Sequence, residues 1–562
     1  MILRHSLAVT LLFSVICTAW ASRFDDYTNQ YKAAPDQAKV ITSTCIGGPG
    51  VEWLVGGGFQ PDGTVVAVGT ALGPTLSVAG VEAKVIGGAD TLNNIDPKVV
   101  ISDKDGKPQI DPKTGNEIYY PYDWAHPNAT AYVVLFTPDA KAVKSVVRFP
   151  WLTAGATSAL VDAEGAIYVA GVANDGISKF SPDSKELTVD MAKIGTSKQT
   201  PRHYYLAKIS ADATKVLWVR HLTGPGRLPT IALNKKGNIQ LSSVDIRLFD
   251  TAGTQLSVIT VAGGLGNKNA VNPIDGTYAY GGEHNWGTGR EPWRCPILNI
   301  YDPDGKERYH LYDWGGPFVG LDELRLVSDT AVRSVDYDED GNLVVTMWSD
   351  GGNSPALCDP KDIYKAAKMP GLGYSSWGAG VLSLAYIVKI ETKNCSVIGG
   401  TMLCSFIYRF DAAKNGMVDK PNGLSINTIG FGVDGVVAVG GGSAYGLIQT
   451  GNNLNTGDQP GGPMVMYLNK DMSRMRFSSV MNACGSINIR DGKSWAFASG
   501  KVNGKPMGIV FTATNNSDTS YNKDKPAPSL NAVQPNYGGG IADGHMTIID
   551  LTDPTVKDEV AK

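Results

Sequence analysis

The sequence predicts an all-β fold, a ring of seven four-stranded antiparallel units with long loop insertions on one face. Three observations predict it. The chain has 66 glycines in 562 residues and only 19% charged residues, a composition that suits short strands joined by tight turns. Seven segments repeat one pattern, an apolar strand, a Gly-containing turn and a second apolar strand. A second kind of hairpin, more polar at its turn, alternates with the first.

The first pattern runs through "GFQPDGTVVAVGTA" (58–71), "ALVDAEGAIYVAGVA" (159–173), "IALNKKGNIQLSS" (231–243) and "AVNPIDGTYAYGGE" (270–283). It continues in "SVDYDEDGNLVVTMWS" (334–349), "TIGFGVDGVVAVGGG" (428–442) and "SINIRDGKSWAFASG" (486–500). D-G and K-G dipeptides supply the turn geometry between alternating apolar residues. The second pattern occupies 131–149, 204–222, 246–261, 297–314, 385–403 and 465–481, with the longer side chains expected of outer strands. An inner and an outer hairpin together make one blade, and radial repetition of blades is a β-propeller. The seventh blade has an inner hairpin but only a weak outer one, "KPMGIVFTAT" (505–514). A ring must close, so "HMTIIDLTD" (545–553) or "QAKVITSTCIGG" (37–48) is expected to supply the missing strand.

The pairing of "AKISADATKVLWVRHL" with a hairpin of the form D-x-x-G-x-I-Y-V-x-G resembles the seven-bladed β-propeller repeat family of bacterial secreted proteins. The resemblance covers most of the chain after residue 21 and is clearest in the first, second, fifth and sixth blades of the ring over 51–562. It implies the fold and carries no common activity, because propellers serve as enzymes, binding modules and scaffolds alike.

The opening "MILRHSLAVTLLFSVICTAWASRF" has a basic start at Arg4 and His5, an apolar run from Leu7 to Ile16 and a small-x-small signal at Ala19-Trp20-Ala21. It reads as a signal peptide over 1–21 cleaved after Ala21, followed by an N-terminal segment over 22–50. Export to the periplasm or the medium is the expectation. The run is too short to span a bilayer, and no later stretch is long enough. Bulky Ile16 before Cys17 argues against lipid attachment there. Six cysteines remain, an even count that permits three disulfides in an exported chain. No CxxC, adjacent cysteine pair or CxxCH occurs, so no cysteine-based metal, redox or haem site is expected. Net charge is −4 with scattered Lys and Arg, which gives no basic field for nucleic acid. No cofactor is expected.

With strands lettered a to d from the centre outward, the extra residues fall mainly in b–c connections, at 72–130, 174–203, 284–296, 350–384 and 443–464. That face collects Trp124 and His126 from the first blade, with Tyr122 and Asp123. The fourth blade adds His284, Trp286, Arg290 and Trp293, with Arg294. The fifth contributes Trp348 and Asp350, with Asn353 and Trp377. Aromatic planes and Arg in loops suit sugar rings and anionic polymers, by stacking and bidentate hydrogen bonds; small cores plugged by Trp are the competing reading. Cys295 and Cys358 lie in neighbouring loops and could pin them together. "DYDEDG" (336–341) matches the first half of a calcium loop, but Met347 stands at its twelfth position and sister blades carry "NKKG", so it reads as a turn.

Two functional classes follow. The first is a secreted binder of a polymer, such as a polysaccharide, or of an extracellular protein, through the b–c face; HExxH, G-x-S-x-G and paired-carboxylate motifs are absent. The second is a carbohydrate-active enzyme, foremost a polysaccharide lyase with His126 or His284 as base, Arg290 as carboxylate neutraliser and Tyr122 as acid. Asp123 and Asp350 would instead serve a hydrolase.

Overall fold

The computed structural model describes residues 38–73, 75–86, 129–153, 155–173, 183–194, 202–226, 228–260, 268–286, 293–312, 328–351, 354–367, 383–411, 416–444, 446–454, 461–482, 484, 495–515, 527–539 and 542–553; for 151–153, 193, 285–286, 293, 405–422 and 515 it describes the backbone at most. The chain is all-β, its one α-helix among the described residues being the single turn Met191–Ile194.

Among the described residues, strands pair in seven antiparallel series of four. The first is Val51–Phe59, Val65–Leu72, Thr130–Phe136 and Val143–Thr153; the second is Ala156–Val161, Ile167–Ala173, Arg202–Ile209 and Val216–Gly224. The third is Thr230–Leu233, Ile239–Ser242, Ile246–Phe249 and Gln255–Ile259, and the fourth is Asn269–Val271, Tyr278–Trp286, Trp293–Tyr301 and Glu307–Leu311. The fifth is Thr330–Tyr337, Leu343–Ser349, Leu384–Glu391 and Ser396–Leu403, and the sixth is Leu424–Phe431, Val437–Ser443, Gly462–Leu468 and Met475–Val480. A separate hairpin, Ser405–Asp411 with Gly416–Asn422, stands between the fifth and sixth. The first six series match the hairpins that alternation and turn dipeptides predict.

The seventh series corrects two expectations. Its inner turn is Asn503–Gly504, where Val502 pairs with Lys505, and not the D-G of residues 491–492, which lies outside the described residues. "KPMGIVFTAT" is therefore part of an inner strand, Lys505–Asn515. Both termini complete the series: Ala542–Asp550 pairs with Lys505–Asn515, and Lys39–Ile46 pairs antiparallel with Ala542–Asp550. The outermost strand thus comes from the 22–50 segment that the sequence sets apart from the repeats. Short parallel contacts, Val51 with Ala542 and Gly56 with Ala159, join the seventh and second series to the first.

Turn chemistry repeats with the strands. The a–b turns all contain a glycine with φ between 77° and 85°: Gly63, Gly165, Gly237, Gly276, Gly341, Gly435 and Gly504. This left-handed conformation is costly for a residue with a Cβ, which explains the recurring x-G of the sequence pattern. In several turns an Asx side chain clamps the loop. Asp338 Oδ1 accepts hydrogen bonds from the Asp340 and Asn342 amides at 3.0 and 2.8 Å, and Asn234 Oδ1 accepts from those of Lys236 and Asn238. Lys389 Nζ lies 2.6 Å from Asp338 Oδ2 with both side chains buried. "DYDEDG" is a turn whose key carboxylate is engaged within the chain.

Burial follows position in the series. Second strands such as Val65–Leu72 and Ile167–Ala173 are buried throughout, as sheets covered on both faces require. The fourth strand Gln255–Ile259 is mostly exposed. First strands are half-buried in places because they border a common cavity of about 450 Å³, lined by residues from the first strand of every series, among them Phe59, Leu160, Ile231, Asn269, Asp336, Phe431 and Phe497.

No disulfide joins the six described cysteines, all of which are buried. The pinning of Cys295 to Cys358 is not formed. Cys295 sits in a ladder opposite His284, and Cys358 sits opposite Ala366 on the short hairpin of Cys358–Asp359 with Asp362–Ala366. Burial pushes the Cys358 thiol up to about 11 and those of Cys45 and Cys395 up to about 12, which keeps them protonated and unreactive.

Candidate functional site

The b–c edge of the fourth and fifth series brings together more of the predicted residues than any other described region. The sequence places 284–296 in a loop, but the ladder continues further: His284 pairs with Cys295, Asn285 with Arg294 and Trp286 with Trp293. The alternation "EHNW" and "WRCP" lets two strands extend where the richness in unusual side chains suggested a loop. Only the backbone course of Trp286 and Trp293 is described. Trp124, His126 and Arg290 lie outside the described residues, as do Tyr122, Asp123, Asn353 and Trp377.

Around this extended hairpin the edge is charged. The Arg294 backbone amide donates to Asp329 Oδ1 at 2.9 Å, and its guanidinium Nε lies 3.9 Å from Asp329 Oδ2. The Asp350 amide donates to the Asp329 carbonyl at 3.1 Å, fixing the two acidic residues side by side. Partial burial, followed by the charge of Asp329, raises the Asp350 carboxyl above the ordinary aspartate range. Half-buried Trp348 donates from Nε1 to Ser383 Oγ at 2.7 Å and presents its ring to Arg333, whose guanidinium carbon lies 5.2 Å from the ring centroid.

Arg333 is not among the residues to which the sequence pattern points. It sits near the b–c end of the innermost strand Thr330–Tyr337, at a bulge where the register slips between Val332 and Ser334. A bulge leaves its residue out of the ladder and re-aims the side chain. The first strands of three other series slip likewise, passing over Val55, Thr157 and Asn427. Only here does the bulge carry a charge. Burial, and secondarily the charge of Arg294, depresses the Arg333 guanidinium, while Glu283 opposes the shift. Apart from the Trp348 ring, it makes no hydrogen bond or salt bridge among the described residues. The usable signal in the sequence was one arginine, "TAVRSV", inside an otherwise apolar inner strand.

A cavity of about 960 Å³ opens on the opposite face, among the turns of the fifth to seventh series. Its cations are already engaged: Lys389 with Asp338, Lys470 with Asp340, Lys501 with Asp434 and Arg474 with Asp553. Arg476 donates to the Leu551 and Thr552 carbonyls. Size favours that cavity, but free bonding capacity favours the b–c edge. Recognition needs donors not already satisfied within the protein, so the edge is the better candidate.

No family model and no curated protein matches the chain. Several solved structures are similar to it at low identity. A protein of unknown function from Dyadobacter fermentans DSM 18053 is 10% identical, with 92% of this chain and 100% of that chain covered and a TM-score of 0.35. The Dos1 propeller is 7% identical over 91% of this chain and 96% of its own, at a TM-score of 0.32. A PL25 ulvan lyase, a polysaccharide lyase, is 10% identical over 86% and 94%, at 0.33. No helix among the described residues is long and apolar enough to cross a membrane.

Proposed function

We propose that the chain is a secreted seven-bladed β-propeller that binds an acidic polysaccharide at the b–c edge of its fourth and fifth blades. The common cavity lined by all seven first strands supports the ring, as do the seven equivalent turn glycines and the closure of the last series by both termini. The long connections at 73–129, 174–201, 350–383, 444–461 and 516–541 all leave strand ends of that same edge. The signal-peptide pattern of residues 1–21 supports export.

The observation that carries the binding reading is the Arg333 guanidinium, half-buried over Trp348 with no salt bridge among the described residues. A guanidinium held this way is pre-oriented for bidentate hydrogen bonding to a carboxylate or sulfate on a sugar ring. Arg294, itself 3.9 Å from Asp329 Oδ2, adds a second positive charge beside it, and the ring of half-buried Trp348 offers an apolar surface. Affinity electrophoresis through polygalacturonate and through dextran tests this. Retardation by the uronate polymer alone is expected, and Arg333→Ala should weaken it about tenfold or more, the worth of one charge-assisted bond. Equal migration in both gels would reject the acidic-polysaccharide reading and leave a protein partner as the ligand of this edge.

A second reading, a carbohydrate-active enzyme, draws on one observation: partial burial and the neighbouring charge of Asp329 raise the Asp350 carboxyl above the ordinary aspartate range, and carboxyl pairs in unlike environments suit acid–base chemistry. New reducing ends or unsaturated uronates after incubation with polygalacturonate, lost in Asp350→Asn, would establish it.

A further inference from the structure

The a–b turn of the last series, Asn503–Gly504, differs from its six counterparts. It is the shortest, because Val502 pairs directly with Lys505, whereas Phe59 pairs with Val65 and Val161 with Ile167. Its two residues have φ of 51° and 78°, both left-handed, the type I′ geometry that an Asn-Gly pair favours. It alone among the seven turns has asparagine before its glycine; the others have Asp62, Glu164, Lys236, Asp275, Asp340 and Asp434 there.

Where aspartate precedes the glycine, its carboxylate is held. Asp62 Oδ1 accepts from the Thr64 amide at 2.8 Å, and Asp275 Oδ1 from the Thr277 amide at 2.9 Å. Asp340 Oδ2 accepts from Lys470 Nζ at 2.6 Å, and Asp434 Oδ1 lies 3.9 Å from Lys501 Nζ. The Asn503 side chain makes no hydrogen bond among the described residues, and both Asn503 and Gly504 are exposed. A Cβ added at Gly504 would have nothing within 4 Å, so no neighbour shields this turn from water. An ionised carboxylate resists attack by a backbone nitrogen. A neutral carboxamide accepts it and expels ammonia.

We propose that Asn503 is a site of spontaneous deamidation that loosens the closure of the last series. The Gly504 nitrogen loses its proton and bonds to the Asn503 Cγ. The Cγ–Nδ2 bond breaks, the departing nitrogen takes up a proton and leaves as ammonia, and a five-membered succinimide remains. Water opens this ring at either carbonyl to give aspartate or isoaspartate, with no oxidant or reductant required. Isoaspartate carries the main chain through Cγ and adds one backbone carbon to a two-residue turn whose length fixes the hairpin register. The strand it disturbs, Lys505–Asn515, is the one on which Ala542–Asp550 is laid.

The test incubates the full-length mature protein at pH 8 and 37 °C over weeks, with peptide mapping by mass spectrometry and thermal denaturation. Position 503 should convert to a mixture of aspartate and isoaspartate, faster at pH 8 than at pH 6 because the attacking nitrogen must first lose its proton. Gly504→Ala should slow conversion about tenfold or more, since its methyl group crowds an approach that glycine leaves open. The converted protein should melt lower than the fresh one. Asn503→Gly keeps the left-handed turn and lacks the amide, so its melting temperature should hold through the same incubation. An intact amide at 503, or a rate that does not change with pH, would overturn the modification. A converted protein that melts like the fresh one would overturn its effect on the closure.

Discussion

At the scale of the residue, the chemistry turns on which charged groups are already engaged. Asp338 and Lys389 form a buried pair, and Asp338 also anchors a turn. Lys389→Met should cost about 3 kcal/mol by leaving a buried charge uncompensated; adding Asp338→Asn should recover part of that loss, as chemical denaturation of the single and double variants would show. The charged edge has its own pH dependence. The Asp350 carboxyl is raised, so it takes up its proton at a higher pH than an ordinary aspartate as the solution is acidified. Each proton gained removes a negative charge near Arg294. Binding to a polyuronate should therefore strengthen as the solution is acidified toward the range where Asp350 takes up its proton, while the uronates remain ionised. In Asp350→Asn this strengthening should disappear; a wild-type affinity that falls over the same interval would contradict the assignment.

At the scale of the element, glycines of the same type have different reasons to be glycine. Gly504 has φ 78° and nothing within 4 Å of an added Cβ, so Gly504→Ala should cost only the left-handed strain, about 1 kcal/mol. An added Cβ at Gly440 would meet the buried Trp495 ring at 2.5 Å, so Gly440→Ala should cost about 1–3 kcal/mol from overpacking. Thermal denaturation of the two variants would rank them. Turn glycines of the first kind made six inner hairpins legible in the sequence, because x-G between alternating apolar residues is a local signal. The seventh was misplaced because two such signals, D-G at 491–492 and N-G at 503–504, lie twelve residues apart and only pairing with Ala542–Asp550 chooses between them. In the hairpin of His284 and Trp293, the density of His, Trp and Arg suggests a loop, whereas the alternation of "EHNW" and "WRCP" carries the ladder on. Arg333 went unseen for a related reason: which residue a bulge releases depends on the partner strand's register, which the strand's own sequence does not encode.

At the scale of the whole molecule, the chain ends are structural. Lys39–Ile46 covers the edge of Ala542–Asp550, with Ser43 Oγ 3.0 Å from Thr547 Oγ1 and backbone bonds from Ser43 to Leu530. A chain beginning after residue 50 should expose that edge and aggregate or melt well below the full-length protein; equal melting temperatures by calorimetry would show that the strand is dispensable. We assign ligand binding to the b–c edge and not to the 960 Å³ cavity among the turns, whose cations lie against carboxylates. Isothermal titration of polygalacturonate into Arg333→Ala and into the turn-face variant Lys470→Ala/Lys501→Ala compares the two directly. Affinity lost about tenfold in the first and kept in the second is the expected result; affinity kept in the first and lost in the second would place the ligand on the opposite face and contradict the claim.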